Sequence, residues 1–210
     1  MDRILGIVGS PRKGGNTEQL MREVLAAARQ VGAETRLFSL AGRTVGPCTA
    51  CDACQRSPDG LCVIEDDMQG LYPLMQWADT IVFGSPVYMG LMTAQLKAVF
   101  DRARPLWRKR GGLLQKAAAA VVVGEGRWGR QEFALQSIYW AAVNHGMIVL
   151  EPDADACGVA DAPGDIARDE QAMGAARALG RRLAVTKLAV GERACWSADA
   201  RLPGAAQSSG

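Results

Sequence analysis

The chain lacks three features that would narrow its chemistry at once: an excess of one charge, a long apolar run and a stock of histidine. Lys and Arg number 24 against 22 Asp and Glu, a net charge of +2, with the two signs interspersed. That balance excludes the basic field by which a protein takes nucleic acid as its main partner. The longest purely apolar run, residues 117–123, is far shorter than the ~20 residues of a membrane helix. With no export signal ahead of the first apolar segment, a cytoplasmic protein without a membrane partner is expected. The one histidine, His145, stands before Gly146 at the end of a helical pattern, where capping or complementing the helix dipole accounts for it. No internal repeat is evident. At 210 residues the chain suffices for one well-buried domain and is short for two. That domain is placed over residues 1–190, with a tail over 191–210 whose last stretch, 198–210, has the composition of a poorly ordered segment.

What is present begins with a short apolar strand, residues 4–8, that turns into a helical pattern through Gly-Ser-Pro-Arg-Lys-Gly-Gly-Asn-Thr at positions 9–17. A strand turning sharply into a helix leaves backbone N–H groups pointing out of the turn, where the helix dipole also favours negative charge. Ser10, Asn16 and Thr17 add small donors, Arg12 adds a fork that matches phosphate oxygens, and Gly14 and Gly15 permit close approach. The plainer alternative is a polar turn in which Asn16 or Thr17 caps the helix.

Downstream the patterns alternate. A helix over about 17–30 precedes a strand at 35–40, an irregular stretch at 41–62 and a helix from Asp66 or Asp67 to about Trp77. A strand at 80–83, a helix over about 93–103, a strand at 117–123, a helix over about 131–144, a strand at 147–150 and a last helix over 172–188 follow. This alternation implies an α/β fold, a doubly wound parallel sheet of five strands with helices on both faces. In the strand order 2-1-3-4-5 the ligand crevice lies between strands one and three. Those two strands lead into the loops at Gly9 and at Gly84-Ser85-Pro86-Val87-Tyr88-Met89-Gly90. Gly124-Glu125-Gly126-Arg127-Trp128-Gly129 carries the letters G-x-G-x-x-G, with Glu151 downstream. A dinucleotide fingerprint belongs in the first βα unit, which already holds the better anion seat, so this run is not read as one.

Gly9-Ser10-Pro11-Arg12 with Gly15-Asn16-Thr17, then Ser85-Pro86-Val87-Tyr88, then Leu96-Lys97 with Asp101-Arg102, resembles the flavodoxin-like NAD(P)H-dependent FMN reductase family over about residues 4–150. The resemblance implies a flavodoxin-like fold, FMN as cofactor and NAD(P)H as electron donor. It implies that Ser10, Arg12, Asn16 and Thr17 bind the FMN phosphate. Pro86, Val87, Tyr88 and Gly90, with Met89 beside them, would line the isoalloxazine, and Gly124, Gly126 and Gly129 would let the third loop approach its pyrimidine side. Core packing is the alternative for Tyr88 and Met89. The flavin carries the chemistry, so no catalytic side chain is needed, and Asp101 with Arg102 is expected as a structural pair on a helix surface.

Four of the six cysteines fall in the irregular stretch as Cys48-x2-Cys51-x2-Cys54-x7-Cys62. In a chain with a substantial core and no export signal, such a cluster reads as a metal or redox site rather than a disulfide framework. Three thiolates at x2 intervals can point to one side of a cubane while the fourth closes the shell, which fits a [4Fe–4S] cluster. Zinc prefers paired motifs with a longer spacer, and free or redox-paired thiols are the third option. Cys157 and Cys195 fall outside the group. Joined to the FMN motifs, the cysteine run resembles the iron–sulfur flavoproteins. That resemblance implies electron transfer between cluster and FMN, with the cluster of one subunit near the flavin of a neighbour. A homodimer or homotetramer with a small-molecule or protein redox partner follows from it. A cluster-free NAD(P)H-dependent FMN, quinone or nitro-compound reductase and a flavodoxin-type electron carrier are the alternatives.

Overall fold

The computed structural model describes residues 2–56, 60–108, 112–127, 129–150 and 156–186. The expected tail over 191–210, Trp128, Glu151, Leu188 and Cys195 lie outside the described residues.

A central parallel sheet forms from β1 (Arg3–Val8), β2 (Glu34–Ser39), β3 (Thr80–Pro86), β4 (Ala117–Gly124), β5 (Ile148–Val149) and β6 (Cys157–Val159). The spatial order is β2-β1-β3-β4-β5, with β6 also pairing β4. Strand β4 is buried along its whole length, as a central strand covered on both faces must be. Its side chains alternate: Ala118, Ala120 and Val122 enter one core, and Ala119, Val121 and Val123 the other. The same parity sorts Leu5 and Ile7 from Ile4 and Val8 in β1.

The first core is covered by α3 (Met68–Trp77), α4 (Ala94–Arg102) and α6 (Gln131–Asn144), through Leu71, Met75, Leu96, Val99, Leu135 and Ile138. The second is covered by α1 (Asn16–Gln30) and α7 (Glu170–Val185), through Leu20, Val24, Leu179 and Leu183. These two helices pack so closely that a Cβ on Gly180 would stand 2.1 Å from the Val24 carbonyl oxygen. The doubly wound, five-position sheet expected from the alternation is therefore present, with helix α6 at its expected bounds.

Four short elements escaped the periodicity: α2 (Ala53–Arg56), α5 (Arg104–Arg108), β6 and a 3-10 turn at Asp165–Arg168. Segments of three to five residues hold no full period of either pattern. Strand β6 exists because β4 offers it a register, Val122 opposite Cys157 and Gly124 opposite Val159, beyond the two residues that β5 covers. The fifth position of the sheet is thus filled by two short pieces on the same edge of β4.

Two expectations need correction. Asp101 and Arg102 do not pair on a helix surface. Asp101 meets Lys97 one turn back at 2.6 Å, whereas Arg102 shares the inward stripe of Val99 and its side chain is 1% exposed. His145 does stand at the C-terminal cap of α6, with Gly146 at φ 75°, but it adds no positive charge there. Its ring is buried against α4 with Nε2 3.0 Å from the Phe100 carbonyl oxygen, and burial pushes its pKa down.

Candidate functional site

At the carboxyl ends of β1 and β3 the two strands are tied together before their loops diverge. The Gly9 N–H donates to the Gly84 carbonyl at 2.7 Å, and the Thr93 hydroxyl donates to the Gly9 carbonyl at 2.8 Å. That hydroxyl also caps α4 by accepting from Leu96 N at 3.2 Å, while Thr93 N donates to Ser85 Oγ at 3.0 Å. A Cβ on Gly9 would lie 2.6 Å from Leu96 Cβ, so the close approach of β1 to α4 requires glycine there.

Beyond Gly9 the chain folds back through Gly14 at φ 64° and enters α1 from Gly15. Asn16, Thr17 and Glu18 supply the first helical N–H groups, which have no preceding carbonyl to bond and carry the positive end of the dipole. Glu18 holds this loop in shape. Its buried carboxylate accepts from Gly14 N at 3.2 Å, Ser39 Oγ at 3.0 Å and Arg22 at 2.6 Å. Burial pushes its pKa up, but these three donors outweigh burial and hold the carboxyl below its ordinary value.

Ser10, Arg12, Asn16 and Thr17 from this loop, Pro86, Val87 and Tyr88 from the second and Gly124 from the third line one cleft of about 280 Å³. The cleft fits an elongated anion with a flat end. Helical N–H groups and Arg12 form one pole, and the Pro86–Val87–Tyr88 turn forms a flat wall, pinned by Val87 N to the Val123 carbonyl at 2.9 Å.

Asn16 has a different task from the one expected. Its side chain donates to the Ala162 carbonyl at 2.9 Å and accepts from Gly164 N at 2.8 Å, so the residue fastens the segment after β6 over the cleft. That segment brings in Ala160 and Asp161, which with Val123 and Glu125 complete the wall. Met89, Gly90, Gly126 and Gly129 do not line it. Met89 projects into solvent, 97% exposed, from a left-handed turn at φ 49°. Gly90 faces the Arg130 stem, and the carbonyl of Gly126 accepts from Gly129 N and Gln131 Nε2 within the third loop. Gly124 is glycine because Gln131 leaves no room, its Nε2 standing 2.6 Å from where a Cβ would be.

The cysteine loop follows β2, and its short helix α2 packs against α5. Cys48 and Cys51 are exposed, Cys54 and Cys62 half-buried. Ala50 and Asp52, on either side of Cys51, sit at φ 52° and 58°, a left-handed conformation that L side chains adopt at about 1 kcal/mol or more. Asp52 is held by Arg104, and Arg56 donates to the Cys51 carbonyl at 2.8 Å. The Ala53 N–H and the Thr49 hydroxyl lower the Cys51 thiol below its usual range. Asp67 accepts from Thr44 N at 2.7 Å, and Gln69 donates to the carbonyls of Cys62 and Ile64 at 3.0 and 2.8 Å. Among the described residues no three Cys, His, Asp or Glu side chains converge as ligands of a single metal ion.

Residues 3–158 match the family described as NADPH-dependent FMN reductase. The chain belongs to that family. Two curated relatives are named iron–sulfur flavoproteins. One from Methanocaldococcus jannaschii is 43% identical, covering 89% of this chain and 98% of its own. One from Methanosarcina thermophila is 48% identical over 70% of this chain and 76% of its own. Among solved structures, the Trp repressor binding protein from Bacillus subtilis superposes with a TM-score of 0.62 at 23% identity. It covers 84% of this chain and 99% of that one, and it shares the fold.

In this FMN reductase family member, the cleft is lined by residues of the first loop and of the Pro86–Val87–Tyr88 turn that the sequence singles out, and by Glu125, Ala160 and Asp161, which it does not. Asp161 stands in a polar segment with no motif, and Asn16 reaches that segment across 146 residues. Cys157 lies half-buried in β6. Among the described residues no helix is long and apolar enough to cross a membrane.

Proposed function

We propose that this chain is a flavin-dependent oxidoreductase that binds FMN in the cleft and passes electrons between it and a [4Fe–4S] cluster on Cys48, Cys51, Cys54 and Cys62. The observation that carries the reading is the Cys-x2-Cys-x2-Cys-x7-Cys loop beside an FMN-reductase cleft, in a chain whose near full-length relatives are named iron–sulfur flavoproteins.

The residues suit both groups. Thr17 and Glu18 N–H, Ser10 and Arg12 would hold the phosphate, and Pro86, Val87 and Tyr88 would lie along the ring. The flavin supplies hydride and single-electron chemistry when bound, while the protein orients it and sets its surroundings. Four soft thiolates on one loop suit iron–sulfur ligation, and the left-handed Ala50 and Asp52 bend the backbone around the side on which Cys51 stands. Arg104 and Arg56 offset the negative charge that four thiolates bring. A reducing cytoplasm keeps such thiols available.

The placement of the loop favours an oligomer. Helix α4 starts at the cleft with Thr93, and Arg104, just past its far end, holds Asp52. Nine helical residues at 1.5 Å span about 14 Å, and none of the described residues of 41–62 lines the cleft. A second copy, docked on exposed apolar side chains such as Met89, Leu91, Phe133 and Trp140, would bring the loop of one chain to the flavin of the other. A reduced pyridine nucleotide is the proposed donor.

Anaerobic purification followed by iron, acid-labile sulfide and flavin analysis tests the reading. The expected result is one FMN and four irons per chain, with the iron lost in Cys48→Ser and the flavin kept. Yellow protein without iron, oxidising NADPH at full rate, would replace it with the cluster-free reductase. The spread of the thiols among the described residues is the observation that favours this second reading.

A further inference from the structure

Both ends of the cysteine loop meet on one buried side chain. Arg102 Nη1 donates to the Gly46 carbonyl at 3.1 Å, just before Cys48, and Nη2 donates to the Ile64 carbonyl at 3.2 Å, just after Cys62. The same two nitrogens grip Asp66 at 2.7 and 3.1 Å. Asp66 in turn accepts from Gly46 N at 2.8 Å and Met68 N at 3.0 Å. One guanidinium and its partner carboxylate therefore fix the entry of the loop, its exit and the start of α3. Burial alone would raise the Asp66 pKa, but Arg102, Gly46 and Met68 reverse that and hold it low, so the pair stays ionised.

The pair does more than close a loop. Arg102 Nε is buried and has no hydrogen-bond partner, a rare condition for a charged donor. The Tyr72 hydroxyl donates to the Arg102 carbonyl at 2.8 Å and so ties α3 to the end of α4 beside the pair.

We propose that Arg102 is a positioning residue for the metal centre: its fork clasps the entry and the exit of the cysteine loop, so that the segment carrying the four thiols keeps its two ends together. The proposal rests on the cluster reading above. A lysine at this place keeps the ion pair with Asp66 and loses both the fork and the Nε–H.

The test compares wild type, Arg102→Lys and Tyr72→Phe as anaerobically purified holoproteins. It measures thermal unfolding, iron loss to a chelator, and the half-reduction potentials of cluster and flavin. Arg102→Lys is expected to keep most of the thermal stability and release iron about 10-fold faster or more, with the flavin retained and its potential unmoved. Tyr72→Phe leaves the fork in place and is expected to release iron at the wild-type rate with the fold intact; if the lysine variant does not fold, Arg102→Gln, which loses one of the two donors, takes its place in the chelator assay. Wild-type iron retention in the Arg102 variant, or equally fast iron loss in Tyr72→Phe, would overturn the proposal while leaving the cluster in place. A wild-type chain without iron would instead remove the cluster reading, and this proposal with it.

Discussion

Replacing Thr93 by valine changes little in shape and removes one oxygen that two parts of the molecule use. The side chain is fully buried, and its hydroxyl both caps α4 and donates to the Gly9 carbonyl at the point where β1 becomes the phosphate loop. Loss of the cap is worth about 1 kcal/mol. Leaving the Gly9 carbonyl buried without its donor adds about 1–3 kcal/mol. The sum, roughly 2–4 kcal/mol, lowers the melting temperature of a chain of this size by roughly 5–15 °C. It is to be measured on flavin-free protein, so that ligand linkage does not mask it. The same substitution frees the Gly9–Ser10 peptide to rotate, so FMN titration by flavin fluorescence should give a weaker dissociation constant. Thr93→Ser keeps the oxygen and should restore most of both losses. A valine variant melting within about 1 °C of wild type, or a serine variant as unstable as the valine, would refute the argument that this hydroxyl locks the crevice.

Arg12→Ala removes the exposed fork at the mouth of the phosphate seat and should weaken FMN binding about 10- to 100-fold, with stability unchanged, in the same titration. Gly180→Ala should destabilise by about 1–3 kcal/mol in urea unfolding, because its Cβ meets the backbone of α1 at Val24; a neutral or stabilising effect, as helix propensity alone would give, contradicts the packing. In acid, Asp79, held low by its hydrogen bonds from Arg3, and Asp66 and Glu18, held low by their donors against burial, give stability that is complete above their ordinary values of 3.8 and 4.5. That stability is lost as pH falls through the depressed values. His145 adds an earlier loss beginning below about pH 6.5, since the unfolded chain takes up a proton that the buried ring refuses; a His145→Phe variant should lack this first phase in a pH series of unfolding curves.

The fold was legible wherever the pattern was local. Strands β1, β3 and β4 announce themselves as apolar runs, and α1 and α4 as apolar stripes, so their order and the crevice between β1 and β3 follow from the chain alone. The first loop of the site was legible for the same reason, since an anion seat on a helix N-terminus is written in nine consecutive residues. Residues whose role depends on distant segments were not. Nothing near Arg102 in the sequence says that Gly46, Ile64 and Asp66 surround it. Nothing near Asn16 says that its amide is claimed by residues at 162 and 164. Asp161 enters the cleft wall only because β4 extends past β5 and gives β6 a register. Helical spacing could have flagged Arg102, which lies on the stripe of Val99 rather than that of Lys97.

The divided fifth strand has a consequence for assembly. A long, even sheet edge invites another chain to add a strand and so begin a fibre. Here one margin presents two residues of β5 and three of β6, with Val159 N already bonded to Asp169. The opposite margin, β2, carries Glu34 and Arg36, bonded to each other, and Thr35, bonded to Arg29. Among the described residues neither border is a template for strand addition, so the surface left for docking a second copy would be helices and loops. Such a surface can be changed by substitution while the sheet that carries the crevice is left untouched.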